Sequence, residues 1–213
     1  MSNWTRARSD EQINLRINTI LEAAAKVFKE VPYEKVTMMM IAKEAQFTRS
    51  NLYRYFKSRD EIFLALFIND LTIFKNEVLK TFTKELKINE FANTWTKILV
   101  SHKRFLELSP LFATSLEKNS SKEIIKESKI IINKYVDELC LCIEKVLPNI
   151  TIKDAYKFMV LHQSLVAGLY PMTILTPLIE EAIEELGFED RKVEFETFYY
   201  ETILNYLKGI NQG

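Results

Sequence analysis

A chain of 213 residues, 47% of them hydrophobic, with only four glycines and five prolines, has the length to bury a core and suits helices joined by short connections. Its two cysteines, Cys140 and Cys142, lie two apart and point to different sides of a helix; this excludes a zinc pair or a disulfide framework and fits a reducing cytoplasm. The 29 basic and 29 acidic residues cancel, but residues 1–59 carry 11 Lys and Arg against 6 Asp and Glu, leaving 18 against 23 for the rest. A basic head on an acidic body keeps an attractive field for polyanions at one end, although chance surface composition gives the same asymmetry. No apolar run approaches membrane-spanning length, and MSNWTRARSDEQ lacks a signal-peptide core, so a cytoplasmic protein without a membrane partner is expected.

In chain order, residues 1–8 read as a loose basic arm, either disordered or with Arg6 and Arg8 reaching a minor groove or phosphates. Ser9-Asp10-Glu11-Gln12 is a capping box that opens a first helix, whose Ile17, Leu21, Ala24 and Phe28 recur at helical spacing until Pro32 ends it. Thr37–Arg59 then reads as two short helices joined by a tight turn. Thr37 caps the first, and Met40, Ile41 and Ala45 line its inner face. Gln46-Phe47-Thr48 makes the turn, with Thr48 as the second cap. Leu52 and Phe56, four apart, turn the second helix inward, so that Arg49, Ser50, Tyr53 and Arg54 share its outer face. Two guanidiniums, a phenol and a hydroxyl on a helix too short for a core are what a major groove accepts.

The string AKEAQFTRSNLYRYFKSRDEIF resembles the helix-turn-helix signature of TetR-type (TetR/AcrR) transcriptional regulators, and ILEAAAKVF resembles their first helix. The likeness covers roughly the first third of the chain. Gln46 stands where the family usually has a turn glycine, so the backbone there is either left-handed or slightly remodelled, and Pro32 occupies the first loop where glycine is commoner. The resemblance implies that Arg49, Ser50 and Tyr53 meet base edges, that Thr37, Thr48, Tyr55, Lys57 and Arg59 meet phosphates, that Arg54 serves either, and that Asn51 belongs to the same surface. It further implies an all-α fold: a three-helix head over residues 9–70 (motif 37–56), joined by a long helix to a helical ligand-binding and dimerisation domain over 71–213.

Downstream, Ser58-Arg59-Asp60-Glu61 is a second capping box, opening a helix of about residues 59–83. Its N-terminus, with Lys57 and Arg59, offers N–H groups and positive charge to a phosphate; its far half runs into the body and could carry a displacement back to the head, or act as a rigid linker. The body reads as a helix over Ile88–Leu108, a short one opened by Ser109-Pro110, one opened by a Ser120–Glu123 capping box and stopped at Pro148, and one from Thr151 to about Tyr170-Pro171. A short helix from Thr176-Pro177 to Gly187 and a last one over about 190–209 complete it.

Two of these helices are more apolar than one flank of a monomer needs. Phe158, Leu161 and Leu165 on one, with Phe195, Phe198, Tyr199, Thr202 and Tyr206 on the other, suggest a four-helix dimer interface; completion of the monomer core is the competing reading. Candidate lining for an effector pocket is Trp95, His102, Phe105, Phe112, Met159, His162, Gln163, Tyr170 and Met172, against the plain alternative that these are packing residues. With no G-x-S-x-G, no Gly-rich phosphate loop, no H-E-x-x-H and only two histidines, neither enzyme activity, cofactor nor metal is expected. The expected function is a homodimeric repressor released from a palindromic duplex operator by a small molecule; a ligand-independent DNA-organising dimer and a protein-interaction module that keeps the motif as scaffold are the alternatives.

Overall fold

The structure, a computed structural model, describes residues 2–211, with side chains over 11–210 apart from residue 113. It has ten α-helices and no strand among those residues: α1 (Ser2–Glu30), α2 (Met38–Glu44), α3 (Arg49–Leu52), α4 (Arg59–Thr81), α5 (Ile88–Ser101), α6 (Lys103–Leu111), α7 (Lys122–Val146), α8 (Ile152–Thr173), α9 (Pro177–Glu185) and α10 (Phe195–Asn211). The chain divides into two compact units. The first is Met1–Asn69 with Thr114–Ser128, and the second is Asp70–Ala113 with Lys129–Gly213.

In the first unit, Ile20, Ala24 and Val27 of α1 are buried together with Ile41 and Ala42 of α2, Leu52 of α3 and Ile62, Phe63 and Leu66 of α4. Phe63 sits at the centre, edge-on to Phe28 at 5.4 Å and to Tyr33 at 5.1 Å. Such pairs add directional preference to ordinary area burial. Residues 114–128 join this unit through polar contacts to the start of α4. Asn119 donates to Asp60 Oδ1 at 3.4 Å, and the Ser121 amide donates to Glu61 Oε1 at 3.3 Å. The Tyr33 hydroxyl also donates to Asp60, and burial, with that carboxylate beside it, pushes the phenol up to about 12.

The second unit is built around Phe74 of α4. Phe105 stacks on it at 5.3 Å and His162 at 5.8 Å, while Trp95 meets its edge at 5.5 Å. Phe82, Phe91 and Phe158 complete the cluster around Trp95. Arg104 of α6 holds Asp70 of α4 through two bonds, 2.7 and 2.5 Å, the forked geometry a guanidinium makes with a carboxylate.

Several boundaries differ from those expected. Helix α1 runs from Ser2, with no stop at Ser9, because residues 2–30 contain neither proline nor glycine to interrupt it; the side chains of Arg6 and Arg8 lie outside the described residues. The expected single helix over Ile88–Leu108 breaks at His102, whose backbone leaves the helical region (φ −93°, ψ 58°) while its ring reaches Glu77 at 2.8 Å. Ser109-Pro110 does not open a helix. Ser109 is buried and donates to the Phe105 carbonyl at 2.7 Å, and Pro110 lies inside α6, one residue before its end. A proline cannot bond four residues back, and the chain loosens into a π-turn over Phe112–Leu116. The Ser120 capping box is also absent, since that hydroxyl donates back to the Leu116 carbonyl at 2.6 Å. Thr151, Thr176 and Gly187 behave as their sequence positions suggest: both threonines cap, and Gly187 takes φ +65° just past α9.

Candidate nucleic-acid interface

The motif assembles from the caps outward. Thr37 Oγ1 accepts from the Met40 amide at 3.3 Å and Thr48 Oγ1 from the Asn51 amide at 3.2 Å, so both short helices start with one orphan donor satisfied. Between them Gln46 adopts φ 58°, the left-handed conformation that a glycine would take without strain. Leu52 and Phe56 are buried, at 0% and 7% exposure, which fixes the rotation of α3 and leaves Arg49, Ser50, Tyr53 and Arg54 exposed together. Arg49 donates to the Tyr53 hydroxyl at 3.3 Å and lies over its ring at 5.5 Å. That contact pre-orders a guanidinium and a phenol on one helical turn. Thr48, Ser50, Asn51 and Arg54 line a shallow surface depression beside them. Tyr55 is half-buried, its ring 6.5 Å from Phe47.

The start of α4 is arranged differently from the free anion site expected of it. Ser58 Oγ accepts from the Glu61 amide at 3.2 Å, but the Glu61 carboxylate reaches one residue further back than a capping box would, to the Lys57 amide at 2.8 Å. Two acidic residues, Asp60 and Glu61, already occupy the first turn and are buried. The Arg59 guanidinium donates to the carbonyls of Tyr33 (2.9 Å), Glu34 (3.2 Å) and Val36 (2.7 Å) and lies 4.6 Å from the Tyr33 ring. Arg59 therefore closes the loop between α1 and α2 onto α4. All three bonds come from Nη1, so one nitrogen of the guanidinium is committed to the protein's own carbonyls. Lys57 keeps an exposed side chain. Replacing Arg59 with alanine should destabilise the first unit by about 1.5–3 kcal/mol, the range for hydrogen bonds from a charged group. Thermal melting checks this, and DNA affinity measured well below the transition should show a salt slope unchanged from wild type.

In the second unit the candidate pocket residues separate. Trp95, Phe105 and His162 gather around Phe74, all buried, and His102 meets the same ring edge-on at 5.7 Å. Their polar atoms satisfy one another. Trp95 Nε1 donates to the Tyr199 hydroxyl at 3.0 Å, and that hydroxyl lies 2.6 Å from His162 Nδ1. An indole N–H can only donate, so Tyr199 accepts it and passes its own proton toward His162 Nδ1. Burial depresses the His162 pKa to about 3 and raises that of Tyr199. This is a neutral, closed polar triad within an aromatic core. Met159 and Tyr170 are also buried, the latter edge-on to Phe195 at 5.1 Å; Phe112 and Gln163 are half-buried, and Met172 is 73% exposed. A cavity of about 290 Å³ does lie in this unit, but among the candidates it includes only Met172; its other walls are Leu169, Thr173, Leu175, Ile183, Phe188, Arg191, Lys192 and Val193.

The candidate interface residues also divide. Phe158, Phe195 and Tyr199 are packed in the core of their own unit, at 0%, 7% and 0% exposure. Phe198 is 46% exposed, and Leu161, Leu165, Thr202 and Tyr206 are half-buried. Beside them Val160 and Tyr156 of α8, which the sequence reading did not single out, are also exposed. Tyr156 and Val160, each one residue on from buried Ala155 and Met159, form a second apolar stripe about 100° round the helix, and that i, i+4 spacing is visible in the sequence. Among the described residues no single helix is long and apolar enough to cross a membrane.

Residues 20–66 match the family described as bacterial regulatory proteins, tetR family, and residues 69–213 match the tetracyclin repressor-like C-terminal domain. The uncharacterized HTH-type transcriptional regulator YhgD of Bacillus subtilis is 33% identical over 72 residues, covering 34% of this chain and 31% of that protein. The HTH-type transcriptional regulator HbdR of Aromatoleum is 33% identical over 63 residues, 30% of this chain and 28% of that one. These alignments thus span about a third of the curated relatives' length. Among solved structures, the fatty acid degradation regulator FadR from Bacillus halodurans superposes with a TM-score of 0.55 at 13% identity, covering 89% of this chain and 94% of that one, which is a likeness of fold. The chain belongs to the TetR family of transcriptional regulators, a non-enzymatic family that binds DNA through this helix-turn-helix and typically dimerises through its C-terminal domain.

Proposed function

We propose that this regulator is a repressor: a homodimer that occupies a palindromic operator through α3 and leaves it when a small molecule binds the C-terminal helical part. The observation that carries the reading is the outer face of α3, where Arg49, Ser50, Tyr53 and Arg54 stand exposed while Leu52 and Phe56 anchor the helix from beneath. A helix of four residues reads few base pairs, so two copies spaced by about one DNA turn, about 34–36 Å, supply the specificity one lacks. Exposed Val160, Tyr156 and Phe198, with Leu161, Leu165, Thr202 and Tyr206 at the margin of the core, support α8 and α10 as the surface shared by the copies. Division of labour follows the sequence, a DNA head over residues 9–70 and a sensing, dimerising body over 71–213, with α4 continuous from one to the other.

In this reading Arg49 meets a base edge, its fork matching guanine O6 and N7, and Ser50 and Tyr53 read neighbouring positions. Thr37, Thr48, Asn51, Tyr55 and Lys57 meet the backbone, and Arg54 serves either surface. Selection of bound sequences from a random duplex pool tests the whole proposal, because a palindrome with half-sites one turn apart is its direct consequence. With that site in hand, R49A should lose about 1–3 kcal/mol of affinity and relax preference at one base position per half-site. Unchanged affinity and an unchanged selected sequence would remove Arg49 from the reading. Release requires a ligand that prefers the unbound state of the protein, since equal affinity for both states shifts nothing.

A further inference from the structure

The cavity at the end of α8 has a chemistry of its own. After Pro171 and Thr173 the chain leaves α8, and α9, which follows the turn, buries none of its own residues. Leu178 is 75% exposed and Ile179 46%; of the α9 apolar residues only Ile183 faces the cavity. Leu169, Met172, Leu175, Ile183, Phe188 and Val193 make the walls apolar. The two charged residues among the lining, Arg191 and Lys192, are both cations, and none of the four α9 glutamates lines it. Lys192 has a distant partner in Glu184, at 4.0 Å. Arg191 has no carboxylate partner among the described residues; its guanidinium carbon lies 4.2 Å from the centre of the Phe188 ring, a contact that uses none of its N–H groups.

We propose that this cavity binds a small amphipathic carboxylate, with the apolar part against Leu169, Leu175 and Val193 and the carboxylate on Arg191. The volume, about 290 Å³, is at the lower edge of the roughly 300–1,000 Å³ of small-molecule sites, so a short-chain or single-ring acid fits where a large drug-like molecule does not. The apolar wall supplies affinity without direction. The planar fork supplies selection, because it meets a carboxylate with two parallel bonds, whereas an alcohol offers one weaker bond and an ammonium is repelled. The site deepens the proposed effector response and rests on that reading for its regulatory meaning, though binding itself does not depend on it.

Calorimetric titration of the full-length protein with sodium octanoate, 1-octanol and octyltrimethylammonium tests the assignment. Octanoate should bind once per chain, at least about tenfold tighter than octanol, with no binding of the cation, and R191A should weaken octanoate about tenfold while leaving octanol as it was. V193W, which fills the cavity from the wall opposite in character to the cation, should abolish both, with circular dichroism showing the helices intact. Equal affinity for acid and alcohol, wild-type octanoate binding by R191A, or wild-type binding by a folded V193W would each overturn the proposal. So would substitutions that change the oligomeric state and leave octanoate untouched, since the groove would then be a contact between copies. A gel shift on the selected operator separates this site from the ligand-release reading. Octanoate bound at Arg191 without release sinks that reading and leaves the site; release that survives in both variants sinks the site and leaves the reading.

Discussion

Trp95→Ala is expected to lower the stability of the helical body by about 3–5 kcal/mol, the cost of emptying a fully buried aromatic position. Trp95 has no exposed surface, and its ring packs on Phe74, Phe82, Phe91 and Phe158 at centroid distances of 5.2–6.2 Å. These four aromatic rings cannot all slide into the vacated space, so collapse is incomplete and a cavity term adds to the lost burial. The indole also donates to Tyr199 at 3.0 Å, and its loss leaves that buried hydroxyl with one partner. Stability of a whole domain is only about 5–15 kcal/mol, so this single change takes a large share. For a chain of this size the melting temperature should fall by about 6–20 °C. W95F keeps a six-membered ring in the cluster while losing the donor and part of the indole volume; it should sit well above W95A. Melting of W95A within a degree of wild type would mean that the aromatic cluster does not hold the body together.

The DNA-binding motif was legible because its signals are local. Two threonine caps, a three-residue turn and an i, i+4 apolar pair lie within one short stretch, and each specifies a backbone conformation without help from elsewhere. At Gln46 the sequence leaves a left-handed residue or a remodelled turn open, and the backbone takes the first, with φ 58°. The loop contacts of Arg59 are not legible in the sequence, for the opposite reason. A cation at a helix start reads as a phosphate ligand, and only the fold brings the carbonyls of Tyr33, Glu34 and Val36 to it. The same holds for residues 114–128, whose Asn119 and Ser121 join the first unit through Asp60 and Glu61, some sixty positions earlier. On α10 the difficulty is rotation. Phe195, Tyr199, Ile203 and Leu207 form one apolar stripe and Phe198, Thr202 and Tyr206 another, and nothing in a 3.6-residue repeat says which of two such stripes faces its own core. The 290 Å³ cavity escaped because its cation and its apolar walls come from a turn and two helices that are ordinary when read singly.

Acidification should destabilise the protein through His162, and the sign follows from its environment. Burial against Phe74 and Trp95 holds the folded pKa at about 3, below the ordinary value of 6.5, so the folded protein keeps this ring neutral where the unfolded chain protonates it. Between those two values the unfolded state binds one more proton, and stability therefore rises with pH across the window and falls as pH drops through it. The slope for one proton is about 1.4 kcal/mol per pH unit, so lowering the pH from 6.5 to 4.5 should remove about 2–3 kcal/mol on account of this one side chain. The structure adds a reason beyond burial. An imidazolium would carry a proton on Nδ1, the atom that now accepts from Tyr199 at 2.6 Å, and the indole N–H of Trp95 also points toward it at 3.4 Å. Charging the ring thus turns an accepting position into a donor facing another donor. H162Q keeps an acceptor for Tyr199 without a titrating group, and its stability should fall less steeply over the same range, by one proton's worth of slope. His102, paired with Glu77 at 2.8 Å, and all the carboxylates are common to both proteins, so the difference between the two curves belongs to His162. Urea unfolding at half-unit intervals from pH 7 to pH 4.5 measures it, and parallel curves for the two proteins would show that His162 takes up its proton without unfolding the body.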